Sequence, residues 1–395
     1  MRVLVVTNLY PPQHVGGYEL GCRDVVEKLR ARGHAVRVLT SSFQNGKTPN
    51  PPLENEVDRV LEFRTEATGK VDKRAENKKL IHAVTMFSPD VIYFWSQAGL
   101  SLWLPFTAHW HGGRLAFFLS DTNFVMWRIG AWLLGLSRKN KIIHKLFGRS
   151  MLVRGWPVVA NRTCHFCSDF IRQTAVKNDI PFAPRNSVVA HWGIEPSEFT
   201  APPRKRWPVK KLLYVGQMIP QKGIHTAIAA LGLLAQEKDF SELTLSLAGG
   251  GMLPEYEKKL HALPAELGLA GRVNFLGKIP RAELTQIYAA HDVLIFPSEW
   301  DEPFAITPLE AIASGLAVIG TTTGGSGELF RNRETALTFK AGKAADCARA
   351  IRELCADGEL FENISRRAQR EVREKHTLEA MVDKIEASLQ ALCDS

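Results

Sequence analysis

Two carboxylates in the stretch SEWDEPFAITPLEAIASG, Glu302 and Glu310, stand eight positions apart with a proline close to each. Such a pair can accept hydrogen bonds from the hydroxyls of one ligand, provided the backbone brings both groups to it. On a single helix eight steps turn about 800° and climb about 12 Å, so the two side chains would neither face together nor meet. Pro303 and Pro308 supply the necessary break. A helix with Thr307 as N-cap and Pro308 at its first position leaves Glu302 in the loop feeding it and places Glu310 in its first turn. The same residues also have a structural use, because Thr307-Pro308-Leu309-Glu310 has the spacing of a capping box. On this stretch alone, ligand binding and capping stand side by side.

A second kind of chemistry is anion binding. Glycine-rich loops occur in PPQHVGGYELG (Gly16, Gly17), YVGQMIPQKG (Gly216, Gln217, Lys222), AGGGM and TTTGGSGELF (Gly324, Gly325). Glycines let backbone N–H groups approach an anion, a following helix adds partial positive charge, and a lysine adds a point charge suited to phosphate. Gly16-Gly17 lacks the spacing of the dinucleotide fingerprint, and each loop taken singly reads equally as a tight turn or a solvated lysine. Four of them on successive α/β units suggest a phosphate-bearing ligand held between two domains.

The elements that must position these loops alternate along the chain. RVLVVTNL is a buried strand, YELGCRDVVEKLRARG a helix stopped by Gly33, and HAVRVLT a second strand. This βαβ pattern implies a parallel sheet. PDVIYFW, RLAFFLS and the segment around Cys164 continue it. Composition shifts in PSEFTAPPRKRWPVK, after which the pattern restarts with KLLYVGQM and runs through LTLSLAGGG, RVNFLG, DVLIFPS and AVIGTT. We therefore expect a first domain over 1–196, a linker over 197–210, a second domain over 211–375, and a C-terminal amphipathic helix over 376–395 that packs back on the first.

Bulk composition narrows the class. A hydrophobic content of 45% with 23% charged residues over 395 positions is that of a soluble globular protein large enough for two cores. The N-terminal run MRVLVVTNLYPP reads as a strand entering a loop rather than a signal peptide, and no stretch reads as a membrane span. A cytoplasmic location is expected. Cys164 and Cys167 fall three apart on a strand and so face opposite ways, which argues for buried thiols over a metal site.

Of the net charge of +9, much lies between Asp121 and Asp169, an interval without acids that mixes Arg128, Arg138, Lys139, Lys141, Lys145, Arg149 and Arg154 with Trp127, Trp132, Phe147 and Trp156. That mixture suits peripheral contact of 127–156 with an anionic membrane at its inner face, or ordinary helices with solvated lysines. No nucleic-acid recognition motif accompanies it.

The runs LLYVGQMIPQKGIHTAIAAL and GRVNFLGKIPRAELTQIYAAHDVLIFPSEWDEPFAITPLEAIASGLAVIGTTTGG, with GGYELGCRDVVEKLRARGHAVRVLT, resemble retaining glycosyltransferases of family 4 (glycosyl transferases group 1). The likeness is strong from about residue 210 to 340 and clear from 1 to 42. It implies the GT-B fold, an α/β architecture of two Rossmann-like, doubly wound parallel-sheet domains facing across a cleft. It implies a nucleotide-diphosphate sugar as donor, a UDP-sugar ahead of a GDP-sugar, and a glycan, lipid-linked or small-molecule acceptor. No cofactor or catalytic metal is implied.

By this resemblance Glu302 and Glu310 match an E-x7-E motif, Glu310 holding the ribose and Glu302 reaching the sugar. Phe304, Ala305, Ile306 and Thr307 would offer N–H groups. Lys222 would neutralise the departing diphosphate, beside Gly216 and Gln217, with Gly17 contacting it from the first domain. Lys278 and Ile279 would border the base, and Asp121 would be catalytic on the acceptor side. The chain departs from the family at Gln217, where arginine is usual, and at Ser120, where histidine usually precedes the aspartate. His109 and His111 lie upstream of that position. The alternative these departures favour is a nucleotide-binding pseudoenzyme or scaffold in a glycan-assembly complex.

Overall fold

The computed structural model describes residues 1–43, 56–64, 72–101, 103–122, 162–178, 180, 182, 187–199, 206–251 and 253–394. The interval 127–156 lies outside them. The chain divides into two compact units, Met1–His191 with Leu378–Ser395, and Trp192–Thr377.

In chain order the first unit contains β1 (Arg2–Val6), α1 (Gly17–Ala31), β2 (Ala35–Ser41), β3 (Val57–Leu61), α2 (Lys73–Phe87), β4 (Val91–Phe94), α3 (Trp103–Trp110), β5 (Leu115–Leu119), β6 (Thr163–Phe166), α4 (Asp169–Lys177) and β7 (Val188–Val189). The strands form one sheet in the order β3-β2-β1-β4-β5-β6-β7, every pair parallel. A parallel sheet covered on both faces needs apolar side chains on both, which is why Val3 to Val6, Val91 to Phe94 and Leu115 to Leu119 are buried without alternation. Cys164 and Cys167 lie buried in and beside β6 as free thiols, and burial pushes the Cys164 thiol well above its ordinary range.

The second unit contains β8 (Lys211–Val215), α5 (Ile224–Leu234), β9 (Thr244–Ala248), α6 (Pro254–Glu266), β10 (Val273–Gly277), α7 (Arg281–Ala290), β11 (Val293–Phe296), α8 (Ile306–Ala313), β12 (Ala317–Gly320), α9 (Ser326–Leu329), β13 (Leu337–Thr338), α10 (Ala344–Ala356) and α11 (Gly358–Lys375). Its sheet runs β10-β9-β8-β11-β12-β13, again all parallel. The core joins Ile228, Leu231 and Leu234 of α5 to Leu245 and Leu247 of β9, Ile295, Ile319 and Ile351. Arg206, from the proline-rich basic stretch, is buried in this unit. Its guanidinium donates to the carbonyls of Tyr288, His291 and Ser314, and so ties the ends of α7 and α8.

The last helix, α12 (Leu378–Asp394), packs in the first unit on α1, β4, β6 and β7 and buries Met381, Val382, Ile385 and Leu389. At its solvent edge Arg32 reaches Asp383 at 2.6 Å and also pairs with Glu379 and Glu386. The imidazole of His34 lies 2.5 Å from Glu386. The His34 contact and then Arg32 hold the Glu386 carboxyl below its ordinary value, and Lys28 and then Arg32 do the same for Glu379. Carboxyls with a depressed folded pKa add stability above their unfolded value and lose it as pH falls through the folded one. Arg32→Ala should therefore lower the stability of α12 docking at pH 7 by about 1 kcal/mol or less. Wild type and variant should converge below pH 4.5, the ordinary glutamate value. Thermal melts at pH 7 and pH 3 measure this, and an undiminished gap in acid would refute it.

Candidate functional site

In the second sheet the strand order reverses between β8 and β11, which lie side by side although β9 and β10 follow β8 in the chain. Ligands of open parallel sheets bind beyond the carboxyl ends of the strands at such a point. The loops there are pressed tightly together. A side chain added at Gly249 would meet the carbonyl oxygen of Gly216, one at Gly223 that of Pro297, and one at Gly324 that of Glu302. Backbone from four strand ends therefore packs around one spot, and Gly325 N donates to the Glu302 carbonyl at 2.6 Å.

Glu302 sits in the loop between β11 and α8, only 4% exposed. Its Oε1 forms an ion pair with Lys222 Nζ and accepts from Ser298 Oγ at 2.9 Å. Lys222 closes the short 3-10 turn Pro220–Lys222, and its ammonium stands 5.5 Å from the centre of the Trp300 ring. Glu310 is also buried. Its Oε2 accepts from the hydroxyl of Tyr288, on α7, at 2.8 Å. Burial and the neighbouring Glu310 charge push the Tyr288 phenol well above its ordinary value, so it keeps its proton and donates.

The capping expectation needs correction. The helix α8 starts at Ile306 with Ala305 as N-cap, and no side chain caps it. Pro308 is the third helical residue, a position whose N–H has no intrahelical partner in any case. Thr307 is thus inside the helix, and Glu310 is its fifth residue, bonded to Tyr288. With the capping box gone, α8 is an eight-residue helix whose N-terminus follows the Glu302 loop with no side-chain cap.

The other expected residues fall around this point. Gly216 directly follows β8, and the Gln217 carbonyl accepts from Tyr214 Oη at 2.7 Å. Phe304 is buried and stacks on His376 with ring centres 5.7 Å apart. Ala305, Ile306, Thr307 and Ile279 are half-buried, and Lys278 is exposed. Ser298 and Tyr288 were not expected. Neither carries a local signal, since Tyr288 lies 22 positions before the carboxylate it holds. A third group escaped notice as well. Glu299 Oε1 accepts from Thr226 Oγ1 at 2.7 Å and lies 3.2 Å from His225 Nε2, which fastens this loop to the start of α5.

In the first unit, Gly16 precedes α1 and its N–H donates to Glu19 Oε2 at 3.0 Å. Burial raises the Glu19 pKa. Gly17 is exposed at the start of this helix, whose first turn thus already holds a carboxylate. Ser120 and the half-buried Asp121 follow β5, and Asp121 is close enough to add to the upward shift of the buried Tyr18 phenol. His109, at the end of α3, contacts Arg162 at 2.8 Å through Nδ1, and His111 is exposed. Among the described residues no cluster of His, Cys, Asp or Glu could hold a metal ion.

These two doubly wound parallel sheets constitute a GT-B fold, seen also in solved glycosyltransferases. The structure of Anabaena HepE in complex with UDP superposes with a TM-score of 0.74 at 20% identity, covering 99% of this chain and 100% of that one. Sucrose-phosphate synthase from Thermosynechococcus elongatus gives 0.74 at 18% identity and full coverage of both. Residues 198–371 match the family described as glycosyl transferases group 1. The matched residues all fall within the second unit. In sequence the whole chain is similar to an uncharacterized glycosyltransferase of Methanocaldococcus jannaschii, at 25% identity over 95% of each chain. It is also similar to a glycogen synthase of Mycobacterium tuberculosis, at 27% identity over 93% of this chain and 89% of that one. Among the described residues no helix is long and apolar enough to cross a membrane.

Proposed function

We propose that the chain is a retaining, metal-independent glycosyltransferase that takes its sugar from a nucleotide diphosphate, with UDP as the favoured carrier. One observation carries this reading. An uncapped helix N-terminus, a Lys222–Glu302 pair and a Glu310 carboxylate fixed by Tyr288 share the carboxyl edge of one sheet at its switch point. These groups match the parts of a nucleotide sugar. Glu310 accepts from the ribose hydroxyls and Glu302 from the sugar. The amides of Ala305, Ile306 and Thr307 with Lys222 take the diphosphate, and Gly216 lets it approach the end of β8. The HepE structure bound to UDP supports a uridine carrier by likeness of fold.

In the reaction the bond between the anomeric carbon and the phosphate oxygen breaks, leaving positive charge on the ring and negative charge on the diphosphate. The acceptor oxygen attacks from the same face, and its proton passes to the leaving phosphate. Donors fixed before the reaction stabilise the charge that develops, each by a few kcal/mol. Asp121, at a strand end of the first unit, is assigned to the acceptor side with a glycan, lipid-linked or small-molecule acceptor.

Calorimetric titration with UDP, GDP, ADP and dTDP tests the donor assignment. One nucleotide should bind selectively, and Glu310→Ala should weaken it about tenfold or more through loss of hydrogen bonds to a buried charge. A folded protein that binds none of the four would overturn the reading. We place the acceptor at an anionic membrane surface contacted by the basic, tryptophan-rich interval 127–156. Vesicle sedimentation should show binding to anionic and not to neutral lipid, and equal failure with both would refute it.

A further inference from the structure

The charge around the donor loops does not balance. The lysines and arginines on the loops that follow β8 to β12, with the first residue of α7, are Lys222, Lys278 and Arg281. Lys222 is already paired with the buried Glu302, and Glu299 and Glu310 add further negative charge nearby. Arg281 lies 3.7 Å from Glu198. Position 217, beside the Gly216 turn, is a neutral glutamine. A diphosphate brought to this edge would meet more acid than base unless another cation reaches it.

Lys278 has the position to do so. It stands just after β10, is exposed, and makes no hydrogen bond or ion pair among the described residues. A Cβ built on Gly250 would lie 2.9 Å from both Cγ and Cε of Lys278, so the side chain passes over that glycine. Gly250 belongs to the loop after β9, and its carbonyl accepts from Met218 N at 3.1 Å. The strand order is β10-β9-β8. With strands about 4.8 Å apart, a lysine that crosses the β9 loop carries its ammonium toward the β8 loop, where Gln217 and Lys222 lie. A Cβ at 250 would push the Lys278 stem aside.

We propose that Lys278 is a second diphosphate cation, supplying from β10 the positive charge that position 217 lacks. The assignment rests on the nucleotide-sugar reading above. It makes Lys278 a contact to the phosphates rather than to the base.

The test compares a nucleoside diphosphate with its monophosphate and nucleoside, by titration of UDP, UMP and uridine (or the series of whichever base binds). Lys278→Met keeps an apolar stem over Gly250 and removes only the charge. It should weaken UDP about tenfold while changing UMP and uridine by less than about threefold. Gln217→Arg added to Lys278→Met should recover most of the lost UDP affinity by returning charge from the other side. Equal loss for uridine, UMP and UDP would mean a base or ribose contact, and no loss would mean a solvated lysine. Either result overturns the assignment while leaving the donor site standing. Wild type that binds none of the three overturns the donor reading and this proposal together.

Discussion

Lys222→Met is expected to reduce turnover by about a hundredfold to a thousandfold, the range found when one preorganised donor to a developing negative charge is removed. The ammonium is the cation that touches the buried Glu302, and it is held by the Pro220–Lys222 turn on one side and the Trp300 ring on the other. Its charge is therefore fixed in place, so that on the proposed reading no reorganisation is needed when a diphosphate departs. The variant also leaves a 4%-exposed carboxylate with Ser298 as its remaining described donor. Loss of stability must accordingly be separated from loss of chemistry. The double variant Lys222→Met/Glu302→Gln removes the stranded charge and should regain thermal stability without regaining turnover. A double variant as active as wild type would remove Lys222 from the reaction.

The largest structural effect is expected at Gly249. Its backbone has φ +149°, and a Cβ there would press into the carbonyl of Gly216, which follows the neighbouring strand β8. Gly249→Val combines a disfavoured conformation with a clash against backbone that cannot rotate away, at a cost of about 3–5 kcal/mol. A drop of roughly 10 °C in melting temperature follows for a unit of this size. Gly268 provides the comparison. It too has positive φ, +66°, but a Cβ there meets nothing within 4 Å. Gly268→Ala should cost only about 1 kcal/mol. Equal effects at the two sites would show that conformation alone matters and that the close approach of the loops after β8 and β9 does not.

The strands and the site were legible in the sequence to different degrees. VLIF of β11 and AVIG of β12 are buried along their whole length, and runs of that kind between glycine and proline signals identify central strands of a parallel sheet. The strand-end placement of Glu302, Lys222 and the glycine loops followed from that alternation. The start of α8 did not follow. Thr307-Pro308 imitates the N-cap and first position of a helix, yet proline fits equally at the third, and packing draws the helix two residues further back. The partners of the carboxylates were also hidden. Tyr288 meets Glu310 only because α7 and α8 are placed by the sheet, and Arg206 then joins their ends. Contacts of that sort have no spacing to betray them.

The first unit is built from both ends of the chain, whereas Trp192–Thr377 is continuous and its ends meet in the bridge between Ile194 and Thr377. During synthesis the second unit can finish as soon as Thr377 leaves the ribosome. The first, although its strands are translated earliest, must wait for α12 before Met381, Val382, Ile385 and Leu389 can cover α1 and β4. Its apolar surface there stays open while about half of the protein is still being made, so the nascent chain passes through a stage at which the second unit is complete and the first still needs shelter from aggregation.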